Sequence, residues 1–236
     1  MNSRTLKIIA MVTMLIDHIG SKRYPELDIL RFIGRIAFPL YAFMIVEGVL
    51  KTKDIKKYLL KLGGLALITE PIYNLFQNNT ILYLDAQNVI FTLLLGALLV
   101  HISEESKEKW VSPVLFLIFG VLCELIQSDY QMLGIIIIYG FYLSEKTKHK
   151  TIVRIMTVTI FIALLILLSF DGYSLQETLI ILPRTNVWVH LGMYISVLII
   201  SLYNSRYTKM NELEKWFYWG FYPIHMLIIW MIKSAI

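Results

Sequence analysis

Long apolar stretches dominate this chain and constrain its fold more than any single motif does. A window pass finds nine of them, each near the ~20 residues that a helix needs to cross a bilayer. They cover residues 4–21, 32–50, 58–76, 88–103, 110–127, 131–143, 151–169, 186–203 and 216–233. The sixth is short and closely follows the fifth, so these two form either a tight hairpin or a re-entrant pair, and eight or ten spans remain alternatives. The pattern predicts an all-α fold, a polytopic membrane bundle of about nine transmembrane helices.

The composition points the same way. Hydrophobic residues make up 57% of the chain and charged residues 17%, and the mean hydropathy is +0.66. So much apolar side chain excludes intrinsic disorder, and one cysteine excludes a disulfide within the chain. The net charge of +5 is expected to reflect lysines in cytoplasmic loops, and no nucleic-acid partner is predicted.

The loop charges orient the spans. With the N-terminus inside, 16 of the 22 Lys and Arg residues fall on the inner side, including Arg206, Lys209 and the lysine-rich run 51–61. The remaining six are Lys22, Arg23, Arg31, Arg35, Arg184 and Lys233. This bias predicts a cytoplasmic N-terminus and an outer C-terminus, in a multi-pass protein of a bacterial inner or plasma membrane. The first stretch is expected to be a retained helix, because no small-residue cleavage site follows it.

Several ionisable residues lie within the spans, where they are costly and therefore candidates for function. Most fall in the outer half of the predicted bundle: Asp17, His18, Arg35, Glu70, Asn88, Glu124, Asp129 and His190, with His225 toward it. Glu47 lies near the inner end of the second span. The group predicts a polar cavity, although structural ion pairs between helices would place such residues equally well.

Local geometry narrows the roles. Asp17 and His18 are adjacent, so their side chains point about 100° apart on a helix and cannot form a dyad with each other. The partner of His18 is therefore expected on another helix, with Glu70, Glu124 or Asp129 as candidates.

Pro39 and Pro223 each leave a carbonyl without its helical donor, the latter one turn from His225.

A series of short motifs resembles the TraX family over nearly the whole chain. The matching segments are LKIIA at 6–10, MLIDHIG at 14–20, RFIGRIAFPL at 31–40, EG at 47–48, TEP at 69–71, DY at 129–130 and FYPIH at 221–225, together with Asn88. Each segment alone is weak, but the ordered series is specific. The resemblance implies one integral membrane acyltransferase-like domain over residues 1–236.

The resemblance also implies chemistry, because TraX proteins are membrane acetyltransferases named for N-acetylation of pilin. Acetyl-CoA is the expected donor, and the acceptor is an amine or hydroxyl of a peptide N-terminus or glycan near the outer face. The family motifs include Asp17, His18, Arg35, Glu47, Glu70, Asn88, Asp129, Tyr222 and His225. Acyl transfer needs a base and an oxyanion donor, so His18 or His225 is expected to be the base, and Arg35 or Asn88 the donor. Asp17 completes the candidate catalytic set.

The inner lysines suggest how the donor is held. Lys53, Lys56 and Lys57 are expected to bind the acetyl-CoA phosphates, although a solvated, lipid-contacting loop would have the same composition. No metal site is predicted, since no Cys/His pattern has zinc spacing. Two other functions remain open: a proton-coupled transporter of small solutes, which uses the same residue types, and a non-catalytic scaffold, which predicts a closed core without a cavity.

Overall fold

The computed structural model describes residues 1–170, 172–173, 177, 181–182, 185–205, 208 and 211–234. Arg184, Arg206 and Lys209, which enter the charge argument, lie outside the described residues. Within them the chain is all-helical: α1 (Ser3–Arg23), α2 (Asp28–Gly34), α3 (Ala37–Lys51), α4 (Ile55–Asn78), α5 (Val89–Glu105), α6 (Val111–Leu125), α7 (Gln131–Glu145), α8 (Lys150–Ser169), a 3₁₀ helix (Asn186–Gly192), α9 (Met193–Ser201) and α10 (Glu212–Ser234). The predicted all-α class is thus confirmed for this part of the chain.

Side-chain caps fix where several helices begin. The side chain of Asn2 accepts a hydrogen bond from Thr5 N, and Asp54 does the same for Lys57 N. Asn88 caps α5 by accepting from Ile90 N. Each cap satisfies a backbone N–H that the first turn of a helix leaves without a partner.

The second predicted span is not one regular helix. The chain breaks at Arg35 and Ile36, between α2 and α3. Pro39 lies in the first turn of α3 and cannot donate to the carbonyl of Arg35, so a break at this point loses no hydrogen bond that the sequence could have made. The break leaves Arg35 at the junction of α2 and α3, as the residue that ends α2.

Polar contacts join the ends of the helices. At one end, here called the basic end, Met1 N donates to Leu202 O and Arg4 pairs with Glu214. At the opposite, distal end, Lys22 donates to Gln77, and Trp230 donates to Asn79. Helix α10 packs against both α1 and α4, which brings the last helix into contact with the first.

Large apolar side chains cover the outside of the bundle as well as its core. Leu67, Leu125, Leu167 and Leu202 expose 68%, 73%, 68% and 70% of their surface. Two segments are long and apolar enough to cross a membrane by length and composition, Asp28–Lys51 and Lys150–Ser169. Three shorter apolar helical segments accompany them: Val111–Leu125, Gln131–Glu145 and Asn186–Ser201. These features are compatible with a membrane location, and the nine-span arrangement stays a prediction.

Candidate functional site

A cavity of about 830 Å³ runs through the bundle beside α1. Nine α1 residues line it at helical spacing, from Ser3 at the basic end to Lys22 at the distal end. At 1.5 Å per residue this face is about 28 Å long. Side chains from α2, α3, α4, α5 and α10 complete the wall. The cavity therefore connects the region of the lysine-rich run with that of the clustered ionisable residues. This main cavity is the candidate active site.

Two histidines from the first and last helices meet at its wall. His18 Nδ1 lies 2.6 Å from His225 Nε2, and the two rings stack with centroids 4.8 Å apart. His225 Nδ1 in turn lies 2.6 Å from the carbonyl oxygen of Phe221, one turn earlier on α10. His18 lines the main cavity, whereas His225 is buried behind it with 5% of its surface exposed.

These contacts fix the positions of the protons. A carbonyl oxygen can only accept, so His225 Nδ1 carries the proton and donates to Phe221 O. In the neutral ring His225 Nε2 is then an acceptor, and His18 Nδ1 must donate to it. His18 Nε2 is left with a lone pair and has no hydrogen-bond partner among the described residues. The arrangement prepares Nε2 of His18 to take a proton from a molecule in the cavity.

The other wall near His18 carries two arginines from α2 and its end. Arg31 Nη1 binds the Asp17 carboxylate at 2.8 Å and the Asp17 carbonyl oxygen at 3.1 Å. This pair requires a glycine at position 34, because a Cβ there would lie 2.1 Å from Asp17 Oδ1. Arg35 Nη1 donates to the Tyr130 hydroxyl at 2.9 Å. Asp17, Arg31 and Arg35 all line the main cavity.

Tyr130 and Asp129 occupy the turn between α6 and α7. The Tyr130 ring stacks on Phe38 with centroids 4.0 Å apart, which holds its hydroxyl toward Arg35. Asp129 Oδ1 accepts from Tyr130 N. Burial raises the pKa of the Asp129 carboxyl to about 6, and the positive charge of Arg35 opposes this rise. Burial thus makes this carboxylate easier to protonate than an ordinary aspartate.

At the basic end the cavity wall holds a second polar group. Glu47 binds Lys51 at 2.6 Å and accepts from the Tyr203 hydroxyl at 2.8 Å. Lys53, Lys56 and Lys57 are exposed and lie beside this end of the cavity without lining it. They follow Lys51 and precede Tyr58 in the chain, and both of these residues do line the cavity.

Glu70, Asn88 and Glu124 do not line the main cavity either. Asn88 donates to the Glu70 carboxylate through its backbone N at 3.0 Å and through its side chain at 2.5 Å, so these two residues lock α4 to α5. Glu124 accepts from Met132 N at the start of α7. Tyr222 differs, because it lines the cavity with its ring 6.2 Å from that of His18.

The partner of His18 is another histidine, and none of the three carboxylates fills that position. The sequence predicts a partner on another helix, which the structure shows, but not that this partner is His225. Arg31 is a site residue that was not predicted, although its four-residue spacing from Arg35 indicates a shared helix face. Among the residues that the structure describes, no three His, Cys, Asp or Glu side chains are grouped so as to hold a metal ion.

Comparisons with known proteins agree with the motif series. The family described as "TraX protein" matches residues 2–233. A protein of Dichelobacter nodosus named "Probable fimbrial assembly protein FimC, serogroup H1" is 27% identical over 247 aligned residues, which cover 97% of this chain and 94% of that protein. An uncharacterized protein of Rickettsia prowazekii, RP591, is 58% identical over 38 residues, which cover 16% of this chain and 15% of that protein. No solved structure matches the chain significantly.

Proposed function

Because the chain belongs to the TraX family, we propose that it is a membrane-embedded acyltransferase that moves an acetyl group from acetyl-CoA to an amine or hydroxyl group. The observation that carries this proposal is a hydrogen-bonded series from Phe221 O through His225 to His18 at the wall of a long cavity. It leaves His18 Nε2 without a hydrogen-bond partner in the part of the chain that the structure describes. A nucleophile, a base and a third group that orients the base form the general pattern of assisted acyl transfer.

The proposed chemistry follows from this geometry. His18 Nε2 removes the proton from the acceptor N–H or O–H as the nitrogen or oxygen attacks the thioester carbonyl carbon. The tetrahedral intermediate collapses, the C–S bond breaks, and CoA leaves as a thiol after the His18 imidazolium returns the proton to sulfur. His225 accepts from His18 Nδ1 throughout and so acts as a positioning residue. General-base assistance of this kind contributes ~10²–10⁴-fold to a rate.

Arg35 is the proposed donor to the developing oxyanion. Its guanidinium lines the cavity, and among the described residues its one hydrogen-bond partner is the Tyr130 hydroxyl. Asn88, the alternative, donates both its N–H groups away from the cavity, to Glu70 and Ala66. A positive charge fixed before the reaction stabilises the oxyanion without further reorganisation.

Acetyl-CoA is proposed to enter at the basic end. Its phosphates would lie near Lys53, Lys56 and Lys57, and its thin pantetheine arm would extend along α1 toward His18. The length of the cavity face and the position of the lysines beside its basic end support this direction. The exposed apolar side chains around the bundle support a lipid environment, with the basic end on the cytoplasmic side where acetyl-CoA is made.

The acceptor is proposed to belong to a bacterial surface structure. The relative from Dichelobacter nodosus carries a fimbrial assembly name, which favours a pilus subunit or a glycan attached to one. This step rests on the name of one relative at 27% identity, and the chemistry of the site requires only an amine or a hydroxyl.

The test is transfer of radiolabelled acetyl from acetyl-CoA by the purified protein in detergent, with a membrane extract as the source of acceptors. Wild-type protein should label an acceptor, and His18→Gln should not, while both bind acetyl-CoA. A proton-coupled transporter, the second candidate, is favoured by a cavity that extends along α1 and has ionisable side chains in its wall. It would transfer no label in either form. A closed scaffold does not fit the cavity.

A further inference from the structure

A second cavity of about 490 Å³ lies on the other side of the two arginines. Its walls come from the distal end of α1 and the turn after it, from α2, from the end of α8 and from the 3₁₀ helix. Ser21, Arg31 and Arg35 line both this cavity and the main one. The wall between the two cavities is therefore formed by single side chains, and it lies close to His18, one turn before Ser21 on α1.

The charges on the two sides of this wall differ. The carboxylates that balance the arginines, Asp17 and Asp129, line the main cavity and not the second one. The lining of the second cavity contains Arg31, Arg35, His190 and Asn186 as its charged and larger polar groups, with no carboxylate among the described residues. Arg35 Nε is buried and has no hydrogen-bond partner in the described part of the chain. A molecule in this cavity thus meets two guanidinium groups: Arg31, which is paired with Asp17, and Arg35, whose Nε has no partner among the described residues.

The remaining polar groups suit a ligand with both an anionic group and a hydrogen-bond donor. His190 Nδ1 donates to Val187 O at 3.1 Å, which leaves Nε2 as an acceptor in the neutral ring. Asn186 is exposed, so the cavity has polar groups where it meets the surface at the distal end. Guanidinium groups favour carboxylates and phosphates because their N–H groups match both oxygens of such anions.

We propose that the second cavity binds an anionic group of the acyl acceptor, a carboxylate or a phosphate, and presents the acceptor to His18 across the wall formed by Arg31 and Arg35. This inference rests on the proposed acetyl transfer and adds the chemical class of the acceptor. It gives donor and acceptor separate approaches, the donor from the basic end and the acceptor from the distal end.

A substitution at Asn186 tests this assignment, because Asp has almost the same shape as Asn but carries a negative charge. Asn186→Asp adds a carboxylate to the lining, and Asn186→Ala removes the amide without adding charge. The probes are two pairs of primary amines: β-alanine with β-alaninamide, and phosphoethanolamine with ethanolamine. For each pair, kcat/KM for the anionic amine is divided by kcat/KM for the neutral one. This ratio is compared between protein variants, so the intrinsic reactivity of each amine cancels.

Wild-type protein and Asn186→Ala should both prefer the anionic member of at least one pair, and which pair responds distinguishes a carboxylate from a phosphate. Asn186→Asp should reduce that preference at least ~10-fold, because like charges are placed side by side. The KM for acetyl-CoA should not change. An equal preference in wild type and Asn186→Asp would overturn the proposal.

Two tryptophan substitutions on α8 test the site independently by filling space. Leu165→Trp fills the second cavity from α8, and Leu168→Trp places the same ring on the exposed side of that helix. Only Leu165→Trp should raise the KM for the anionic amine, and equal effects of both would contradict the site.

Binding can also be measured without turnover. Inorganic phosphate, at constant ionic strength, should raise the Tm of wild-type protein in detergent and of Asn186→Ala, but not of Asn186→Asp. If this difference appears and no acetyl is transferred to any amine, the anion site stands and the proposed acetyl transfer fails. If acetyl is transferred but phosphate raises all three Tm values alike and no amine pair is discriminated, the anion site fails alone.

Discussion

Replacing His225 with phenylalanine keeps an aromatic ring between His18 and Phe221 but removes both hydrogen bonds of the imidazole. His18 Nδ1 then loses the acceptor that lies 2.6 Å away, in a part of the bundle where His225 itself is 5% exposed. An unpaired buried donor costs about 1–3 kcal/mol, and 1.36 kcal/mol corresponds to tenfold in rate. His18 avoids the cost by moving its proton to Nε2, the atom that has to be unprotonated for catalysis.

We therefore expect His225→Phe to lower the single-turnover rate of acetyl transfer by roughly 10- to 100-fold, with little change in acetyl-CoA binding. His18→Gln should lower it by at least ~10²-fold, because it removes the base itself. His225→Gln can still accept from His18 through its amide oxygen, so part of the rate should return. The assay is rapid-quench transfer from labelled acetyl-CoA, with Tm in detergent measured for each variant.

The opposite assignment predicts a different order. If His225 is the base and His18 only joins the two helices, His225→Phe abolishes turnover in a stable protein, whereas His18→Gln mainly lowers Tm. Full activity of His225→Phe would refute the role of the hydrogen-bonded pair altogether. Because His18 lines the cavity and His225 lies behind it, we expect the first order.

Three further changes test other parts of the site. Gly34→Ala places a Cβ 2.1 Å from Asp17 Oδ1 and should destabilise the protein by about 1–3 kcal/mol, whereas Gly64→Ala, where nothing lies within 4 Å, should not; equal Tm values would contradict the packing. Since the pKa of Asp129 is raised from 3.8 to about 6, the folded state binds the extra proton, so wild-type stability should fall relative to Asp129→Asn as pH rises through that window; a pH-independent Tm difference would exclude this linkage. Changing Lys53, Lys56 and Lys57 together to Gln should raise the KM for acetyl-CoA and leave the KM for the acceptor unchanged. An unchanged KM for acetyl-CoA would show that its phosphates bind elsewhere.

Local patterns in the sequence predicted the helices well but not every break. The hydropathy of a stretch of about 20 residues is a local property, so the helices near 58–76, 88–103, 151–169 and 216–233 could be predicted within a few residues. The second span was predicted as one helix, because its hydrophobicity continues through Arg35 and Ile36. The missing N–H of Pro39 could be read from the sequence as a weak point of this helix, whereas the contact of Arg35 with Tyr130 could not.

The site depended on contacts between distant helices. The motif series led to the TraX family, which the family match confirms, and it included both histidines. It could not show that α10 packs against α1 and supplies the partner of His18, since 207 residues separate the two in the chain. Nor could it show that Glu70 and Asn88 bind each other, because a single sequence does not distinguish polar residues that pair between helices from polar residues that line a cavity.

The central claim is that this protein transfers acetyl groups through His18, and it is tested most directly in cells. Membrane proteins, peptides and glycans are compared by untargeted mass spectrometry in three strains, which carry the wild-type gene, no gene, or the gene with His18→Gln at equal protein levels. The account predicts an acceptor that is heavier by one acetyl group in the wild-type strain alone. The same acetylation pattern in all three strains would contradict it.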